Sequence, residues 1–439
     1  MREIYSKIVL ILADVFIIAL SIIMGYQFRI LFDSSFSTTF GHSLPLYLDF
    51  PLIYIVTLAM LAYEGVYSKR YDFWHESRQV IKALTLSFII LLAFLAITKS
   101  IDTYSRATFV FIFINMMLLI PFFKLIAKKF LYKIGWWSKQ ACIYGEDSSI
   151  SKEIFNNHYL GYVKSDIKEA KTIFINSKDA DAKTLHKLIG REIQKTDEVI
   201  FVPIVNEYDL TQSTIYQLSN TRTNLIVYKN RLKSNYREII HIAFNYLLAI
   251  LLLPILLPII GIIAFLIKRE SPGPIFFSHM RVGKHGKLIP TLKFRSMYQD
   301  AQERLDKLLE TDPDIQKEWE TNFKLKDDPR VTKIGAIMRK TSLDELPQIF
   351  NVLRGEMNFV GPRPVIQQEI DQYYKEDAEY YFMVKPGITG LWQVSGRSDT
   401  DYDFRIATDR WYVLNWSLWL DVVILFRTVK TVLRREGAY

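Results

Sequence analysis

Asp344 and Glu345 are adjacent carboxylates inside a strongly basic stretch, "RKTSLDELPQIFNVLRGEMNFVGPRP", which runs from Arg339 to Pro364. Cations surround them. Lys293 and Arg295 sit in "TLKFRSM", Arg339 and Lys340 precede the pair, and Arg354 and Arg363 follow it. Guanidinium forks match the oxygens of a diphosphate, and lysine supplies a point charge. Adjacent residues on a helix project about 100° apart, so the two carboxylates suit separate roles better than one symmetrical clamp. One could attack a phosphorus and form an acyl phosphate. The other could hold Mg²⁺, which prefers oxygen ligands and substrate phosphates. The segment "KPGITGLWQVSGR" adds glycine turns, Gln393 and Arg397, which suit a nucleotide or a sugar.

Ser342 followed three residues later by Glu345 reads as a capping box, and Pro347 fits only a first helical turn. A helix start is therefore expected near Ser342 to Asp344. Its unpaired N–H groups and dipole would favour an anion, so a carboxylate there is expected to stay ionised. Taken alone the pattern is a structural cap. The surrounding cations turn it toward phosphate.

Positioning such a site takes a large chain, and composition says what kind. The chain has 439 residues, half of them hydrophobic, with 23% charged. The mean hydropathy of +0.10 points to membrane segments beside polar domains. A formal net charge of +9 makes anionic lipid, phosphate or nucleic acid the chemistries to consider. Cys142 is the lone cysteine, which excludes an intramolecular disulfide and a cysteine zinc site. The seven histidines are scattered and form no close ligand pair.

Four apolar runs, Ile8–Met24, Leu46–Ala62, Ala83–Ile97 and Phe109–Ile126, have lengths suited to membrane-crossing helices. Asp14 and the lack of a small-residue cleavage site argue against a signal peptide. Arg2 and Lys7, then Lys69, Arg70, Arg78 and Lys82, then Lys124, Lys128, Lys129 and Lys133 flank these runs. By the positive-inside rule both ends of the block are cytoplasmic. From about Lys139 to Leu232 the chain turns polar, and "QACIYG", "DEVIFVPI" and "TNLIVYK" read as strands of a small parallel α/β module. Gly145 is the only glycine of a dinucleotide fingerprint, and Glu146 and Asp147 would repel a pyrophosphate. A structural or regulatory Rossmann-like module is expected there. Next comes Ile242–Ile267, an apolar run with Pro254 and Pro258 near its middle and basic residues on both flanks. A broken helix that enters and leaves on the cytoplasmic face fits both features; a simple span is the alternative. Near the C-terminus, Trp411, Trp416 and Trp419 with Arg427, Lys430, Arg434 and Arg435 suit a helix lying in the lipid interface, or one packed on the core.

"KFRSM", "KTSLDELPQIFNVLRGEMNFVGPRP", "KPGITGLWQVSGR" and the terminal "RREGAY" together resemble the bacterial sugar transferases, the monotopic phosphoglycosyl transferases. The pattern is similar to that of the undecaprenyl-phosphate galactose phosphotransferase group. The resemblance implies a membrane protein in three parts. These are a four-helix transmembrane bundle (1–135), a Rossmann-like cytoplasmic module (136–235) and a mainly α monotopic catalytic domain (236–439) with a re-entrant helix (242–267). It implies that Asp344 attacks a UDP-sugar, that UMP leaves, and that undecaprenyl phosphate takes the phosphosugar, galactose favoured over glucose. Asp344 and Glu345 would be the catalytic pair and the Mg²⁺ ligands. Lys293, Arg339 and Arg363 would hold phosphates, alongside the candidates Arg295, Arg354, Gln393 and Arg397. UDP-sugar, undecaprenyl phosphate and membrane lipid are the expected partners at a bacterial inner membrane, with the catalytic domain facing the cytoplasm and no nucleic acid. The chain is open between monomer and homodimer. Phe244-Asn245 and Leu257-Pro258 depart from the family's usual Phe-Asp and Ser-Pro, which bears on anchoring. A membrane-bound nucleotide-sugar dehydratase or epimerase would need an intact glycine fingerprint and a Tyr-x-x-x-Lys pair, neither visible between Cys142 and Leu232. A non-enzymatic assembly scaffold leaves the arginines around the acidic pair unexplained.

Overall fold

The computed structural model describes residues 2–36, 41, 43–100, 103–145, 148–176, 182–202, 213–218, 223–227, 235–311, 328–396 and 401–434. The chain divides into two compact units, Met1–Val205 and Asn206–Tyr439.

The first unit opens with α1 (Arg2–Leu31), the short α2 (Leu44–Leu48), α3 (Pro51–Tyr63), α4 (Phe73–Ile97) and α5 (Arg106–Lys133). The four long helices share one apolar core that includes Ile18, Ile22, Leu61, Leu84, Ile112 and Met116. Their outer faces are apolar too, with Leu12, Phe16, Ile55 and Leu118 exposed. Helices that are apolar all round suit lipid, where every backbone polar group must be satisfied internally. Among the described residues, five helices are long and apolar enough to cross a membrane: α1, α2 with α3, α4, α5 and a later helix, Tyr236–Glu270. The chain is a membrane protein.

The helices are longer than the apolar runs that announce them. α4 starts at Phe73, where the Asp72 side chain caps it by accepting from the His75 N–H at 3.0 Å. The added turns carry Glu76, which pairs with Lys128 of α5, both side chains buried. Lys124 pairs with Asp14 of α1 at 2.7 Å, also buried, and the Tyr67 hydroxyl donates to the same carboxylate at 2.6 Å. Lys124 and Lys128 therefore lie inside the helical core and not in the flanking loop where the charge count puts them. The reason is the partner carboxylate, which makes a buried ammonium tolerable.

After α5 comes a four-stranded parallel sheet in the order β2-β1-β3-β4. Its strands are β1 (Lys139–Tyr144), β2 (Tyr162–Lys164), β3 (Thr172–Asn176) and β4 (Glu198–Val202). Helix α6 (Ser148–Phe155) leads from β1 to β2, and α7 (Ala182–Glu192) from β3 to β4. Gly145 follows β1 at φ +94°, a turn conformation glycine favours. Glu146 and Asp147 lie outside the described residues. The strand expected at "TNLIVYK" does not join this sheet. It forms β6 (Thr223–Val227), paired antiparallel with β5 (Thr214–Leu218) in a separate two-stranded ribbon.

The second unit is built on α8 (Asn235–Glu270), a helix of 36 residues. The expected break does not appear as an interruption: helix continues through Pro254 and Pro258, each deleting one donor without ending it. Both ends of α8 bind the same domain. Near its start, Asn245 Oδ1 accepts from the Phe359 N–H at 2.7 Å, and His241 Nε2 lies 3.2 Å from Asp421. Asp421 is fixed in turn by the Tyr412 hydroxyl at 2.8 Å and the Trp416 indole N–H at 3.1 Å. Further along, Ile260, Ile263 and Ile267 join a core with Met338, Ile349 and Val352. At the end, the Glu270 carboxylate accepts from the N–H groups of Lys333 and Ile334 at 2.6 and 2.9 Å, capping the helix Lys333–Thr341. The other face of α8 exposes Leu247, Leu251, Ile255, Ile262 and Phe265. The hairpin of β7 (Phe276–Val282) and β8 (Leu288–Phe294) and a parallel pair of β9 (Asn358–Val360) and β10 (Gly387–Thr389) complete the frame of the site. Trp416 is buried in the core, and Ile424 of the helix Leu418–Arg434 packs beside it, while Phe426 and Val429 stay exposed.

The buried pairs of the first unit make a prediction. Glu76→Gln leaves Lys128 buried without its counter-charge and should destabilise the unit by about 3–5 kcal/mol, whereas Glu76→Gln with Lys128→Met should recover most of that loss. Thermal unfolding in detergent reads both; equal losses for the single and double variants would count against the pairing.

Candidate active site

The dyad sits in a 3₁₀ turn that starts after Ser342, not in the first turn of an α-helix. The helix Lys333–Thr341 ends at Ser342, which takes the left-handed conformation at φ +58°. Leu343–Glu345 then form one 3₁₀ turn, and the helix Gln348–Leu353 begins beyond Pro347. Ser342 therefore caps a C-terminus, its side chain makes no cap hydrogen bond, and the capping box is not formed. The left-handed turn reverses the chain and puts both carboxylates on a corner between two helices.

Three local devices aim that corner. Asn351 is fully buried; its Oδ1 accepts from the Leu292 N–H at 3.0 Å and its Nδ2 donates to the Pro290 carbonyl at 2.7 Å. This locks β8, and with it Lys293, in register with the dyad. Gly335 lets its helix touch the chain after β8: a Cβ there would meet the Ser296 carbonyl oxygen at 2.0 Å. Across this contact the Arg339 Nε donates to the Ser296 hydroxyl at 3.0 Å. Finally, Gly361 donates to the Thr389 carbonyl at 2.9 Å where β9 meets β10, and two residues later the chain presents Arg363.

Lys293 is the central cation. Its Nζ stands 2.7 Å from Glu345 Oε1 and 3.7 Å from Asp344 Oδ2. Arg363 Nη2 approaches the same Glu345 oxygen at 3.8 Å. Burial pushes the Asp344 carboxyl above the ordinary aspartate value, and the Glu345 charge adds to this; Lys293 and Arg339 pull the other way and lose. The direction is opposite to the downward pull that a helix start would exert. An ionised Asp344 is poorly solvated and correspondingly reactive.

Lys293, Arg339 and Arg363 are brought to the dyad. Arg295 is not: its two terminal nitrogens donate to the carbonyls of Pro272 and Ser271 at 2.8 and 2.6 Å, tying the end of α8 to β8. Arg354 is exposed at the end of the helix Gln348–Leu353, without a contact to the pair. Gln393 lies in a 3₁₀ turn after β10, its amide donating to the Ile388 carbonyl at 3.5 Å. Arg397 lies outside the described residues. Sequence reasoning missed Asn351, Glu270 and Gly335, whose roles depend on partners far along the chain. As to metal, no group of three or more His, Cys, Asp or Glu side chains converges among the described residues. Two adjacent carboxylates fit an ion such as Mg²⁺ that completes its shell with phosphate oxygens and water. Such an ion would compete with Lys293 for Glu345.

The sequence profile described as bacterial sugar transferase matches residues 236–435. The undecaprenyl-phosphate galactose phosphotransferase of Salmonella typhimurium is 37% identical over 404 residues, covering 85% of this chain and 84% of the relative. The exopolysaccharide production protein ExoY of Sinorhizobium fredii is 46% identical over 197 residues, 45% of this chain and 87% of the relative. The UDP-glucose:undecaprenyl-phosphate glucose-1-phosphate transferase of Escherichia coli is 33% identical over 297 residues, 65% of this chain and 60% of the relative.

The raised Asp344 carboxyl has two consequences. Its ionisation costs stability as pH rises through the folded value, so Asp344→Asn should leave the melting temperature at pH 7 unchanged or higher. Any activity that needs the ionised carboxylate should fall on acidification with a midpoint above the ordinary 3.8. A clear drop in melting temperature for Asp344→Asn at pH 7 would contradict the assignment.

Proposed function

The chain belongs to the bacterial sugar transferase family, and from that premise we propose that it moves a sugar 1-phosphate from a UDP-sugar to undecaprenyl phosphate. The observation that carries the reading is Lys293 bridging Asp344 and Glu345 beside Arg339 and Arg363. In the first step an Asp344 carboxylate oxygen attacks the sugar-bearing phosphorus, the bond to the bridging oxygen breaks, and UMP leaves with that oxygen. In the second, a phosphate oxygen of undecaprenyl phosphate attacks the same phosphorus. The acyl-phosphate bond breaks, Asp344 is regenerated, and the lipid carries a diphosphate sugar. Burial makes Asp344 a stronger nucleophile, while Lys293 and Arg363 offset the charge of the incoming diphosphate. Mg²⁺ held by Asp344 or Glu345 would supply further neutralisation of phosphate oxygens. Galactose is the favoured sugar: the Salmonella relative named for it is 37% identical, and the relatives named for glucose are less so, 33% in Escherichia coli and 29% in Klebsiella pneumoniae. The family's role places the step at the start of a surface-polysaccharide assembly.

The topology follows the same reading. α1, α2–α3, α4 and α5 make four crossings, the parallel sheet is a Rossmann-like cytoplasmic module, and α8 is re-entrant. Support comes from both ends of α8. A helix that crossed a bilayer alone would leave its two ends on opposite faces of the ~30 Å hydrocarbon core, yet His241, Asn245 and Glu270 all bind the one domain. Its outward apolar face would lie in the cytoplasmic leaflet, holding Asp344 near the headgroups of the lipid acceptor at the inner membrane of a bacterium.

Two measurements follow. UMP release from UDP-galactose in the presence of undecaprenyl phosphate should fall at least 10³-fold in Asp344→Asn, a loss in the range of a removed nucleophile; near-normal release sinks the reading. In a Cys142→Ser background, Ser278→Cys should be protected from an impermeant thiol reagent added to intact cells and labelled after lysis. Labelling from outside would make α8 a span.

A further inference from the structure

Behind Arg363 lies a second charged cluster that the dyad does not use. Arg281, at the end of β7, is partly buried, and its Nη1 lies 3.4 Å from Glu369 Oε1. The buried Arg405 approaches the same carboxylate from its other oxygen, Nη1 to Oε2 at 3.5 Å. The Tyr402 hydroxyl donates to that oxygen as well, and the Ile366 N–H to Oε1 at 3.2 Å. Glu369 is thus saturated. Asp409, the other acid near Arg405, is buried and accepts from the Tyr374 hydroxyl at 2.7 Å. Arg405 is covered by the rings of Trp392 and Tyr402 at 4.9 and 5.1 Å, and its Nε and Nη2 are buried without an acceptor. Buried guanidinium donors left unpaired cost stability, so a site that keeps them has a reason to.

Backbone contacts bring Arg281 to Arg363. The Val282 N–H donates to the Val365 carbonyl at 2.8 Å. The Tyr381 hydroxyl bonds the Val282 carbonyl at 2.8 Å and lies 3.4 Å from the Arg363 carbonyl. Burial weakens the hold of Arg281 on its proton against the pull of Glu369, and the nearby Arg363 charge adds to that weakening. Phe277 pairs with Lys293 in the hairpin, so Arg281 shares a face with Lys293, four residues or about 13 Å along the strand. The cation series Lys293, Arg363, Arg281 therefore leads away from the dyad, with Arg281 and Arg405 sharing the one carboxylate of Glu369.

We propose that Arg281 binds a second phosphate group beside the one attacked at Asp344, with Glu369 and Arg405 as positioning residues. The proposal rests on the phosphate-transfer reading above. The phosphate is that of the departing nucleotide or that of the lipid acceptor, and the chemistry of recognition is the same for both.

The test uses the full chain in lipid nanodiscs and the UDP-sugar that supports UMP release by the wild type. Arg281→Gln should raise the KM for one substrate at least ten-fold while kcat changes less, and Arg281→Lys should recover part of the loss. Glu369→Gln should move the same KM in the same direction with a smaller effect. Exchange of labelled UMP into the UDP-sugar, which needs no acceptor, separates the sources: slowed exchange assigns the nucleotide phosphate, and normal exchange with a raised KM for undecaprenyl phosphate assigns the acceptor. Unchanged KM values in Arg281→Gln overturn the proposal, as does a kcat loss alone. If Arg281→Gln does not fold, Arg281→Lys decides by the same KM criterion. Wild-type protein that releases no UMP with any UDP-sugar would overturn the transfer reading instead.

Discussion

Two carboxylates on consecutive residues repel each other, and burial sharpens the repulsion because the charge loses its water. Lys293 is what makes the arrangement tenable, with its ammonium 2.7 Å from Glu345 and 3.7 Å from Asp344. Much of the second unit can be understood as holding that ammonium in place. Asn351 fixes the strand that bears it, Gly335 lets the neighbouring helix close on the same strand, and Glu270 caps that helix. The lysine compensates only in part. Asp344 remains raised, which leaves its ionised form short of full stabilisation.

The same domain resolves how a polar site can be attached to so apolar a helix. α8 is bound at its start through Asn245 and Asp421 and at its end through Glu270. Asn245, a departure from the family's usual aspartate, is well suited to its place: its amide donates to the His241 carbonyl at 2.8 Å while its oxygen accepts from Phe359. A neutral amide satisfies one donor and one acceptor there without burying a charge.

The grouping of the candidate residues was legible in the sequence because it lies in short motifs. Asp344, Glu345, Lys293, Arg339 and Arg363 carry their residue types openly, and the structure brings them together. The errors came where the decisive partner is distant in sequence. Arg295 resembles Lys293 in context, but carbonyls at Ser271 and Pro272 occupy its guanidinium. The capping box failed because Ser342 turns left-handed, a backbone choice its side chain does not reveal. The helices α4 and α5 outran their apolar runs because Glu76 and Lys128 neutralise each other inside the core. β1 and β4 were visible as apolar runs, whereas β6 was assigned to the wrong sheet because a strand's sequence does not name its neighbour. Arg281 stands in none of the motifs above, and it is the pairing with the distant Glu369 that gives it a place.

The central claim is that Asp344 becomes covalently bonded to phosphorus. Its most direct test is mass spectrometry of the protein incubated with a UDP-sugar and no lipid acceptor, then quenched in acid and digested. The account predicts a sugar-phosphate mass increment on the peptide containing Asp344. It should be removed by hydroxylamine and absent when UMP is in large excess. UMP release that requires undecaprenyl phosphate from the first turnover, with no adduct on that peptide, would contradict it and favour direct transfer between the two substrates.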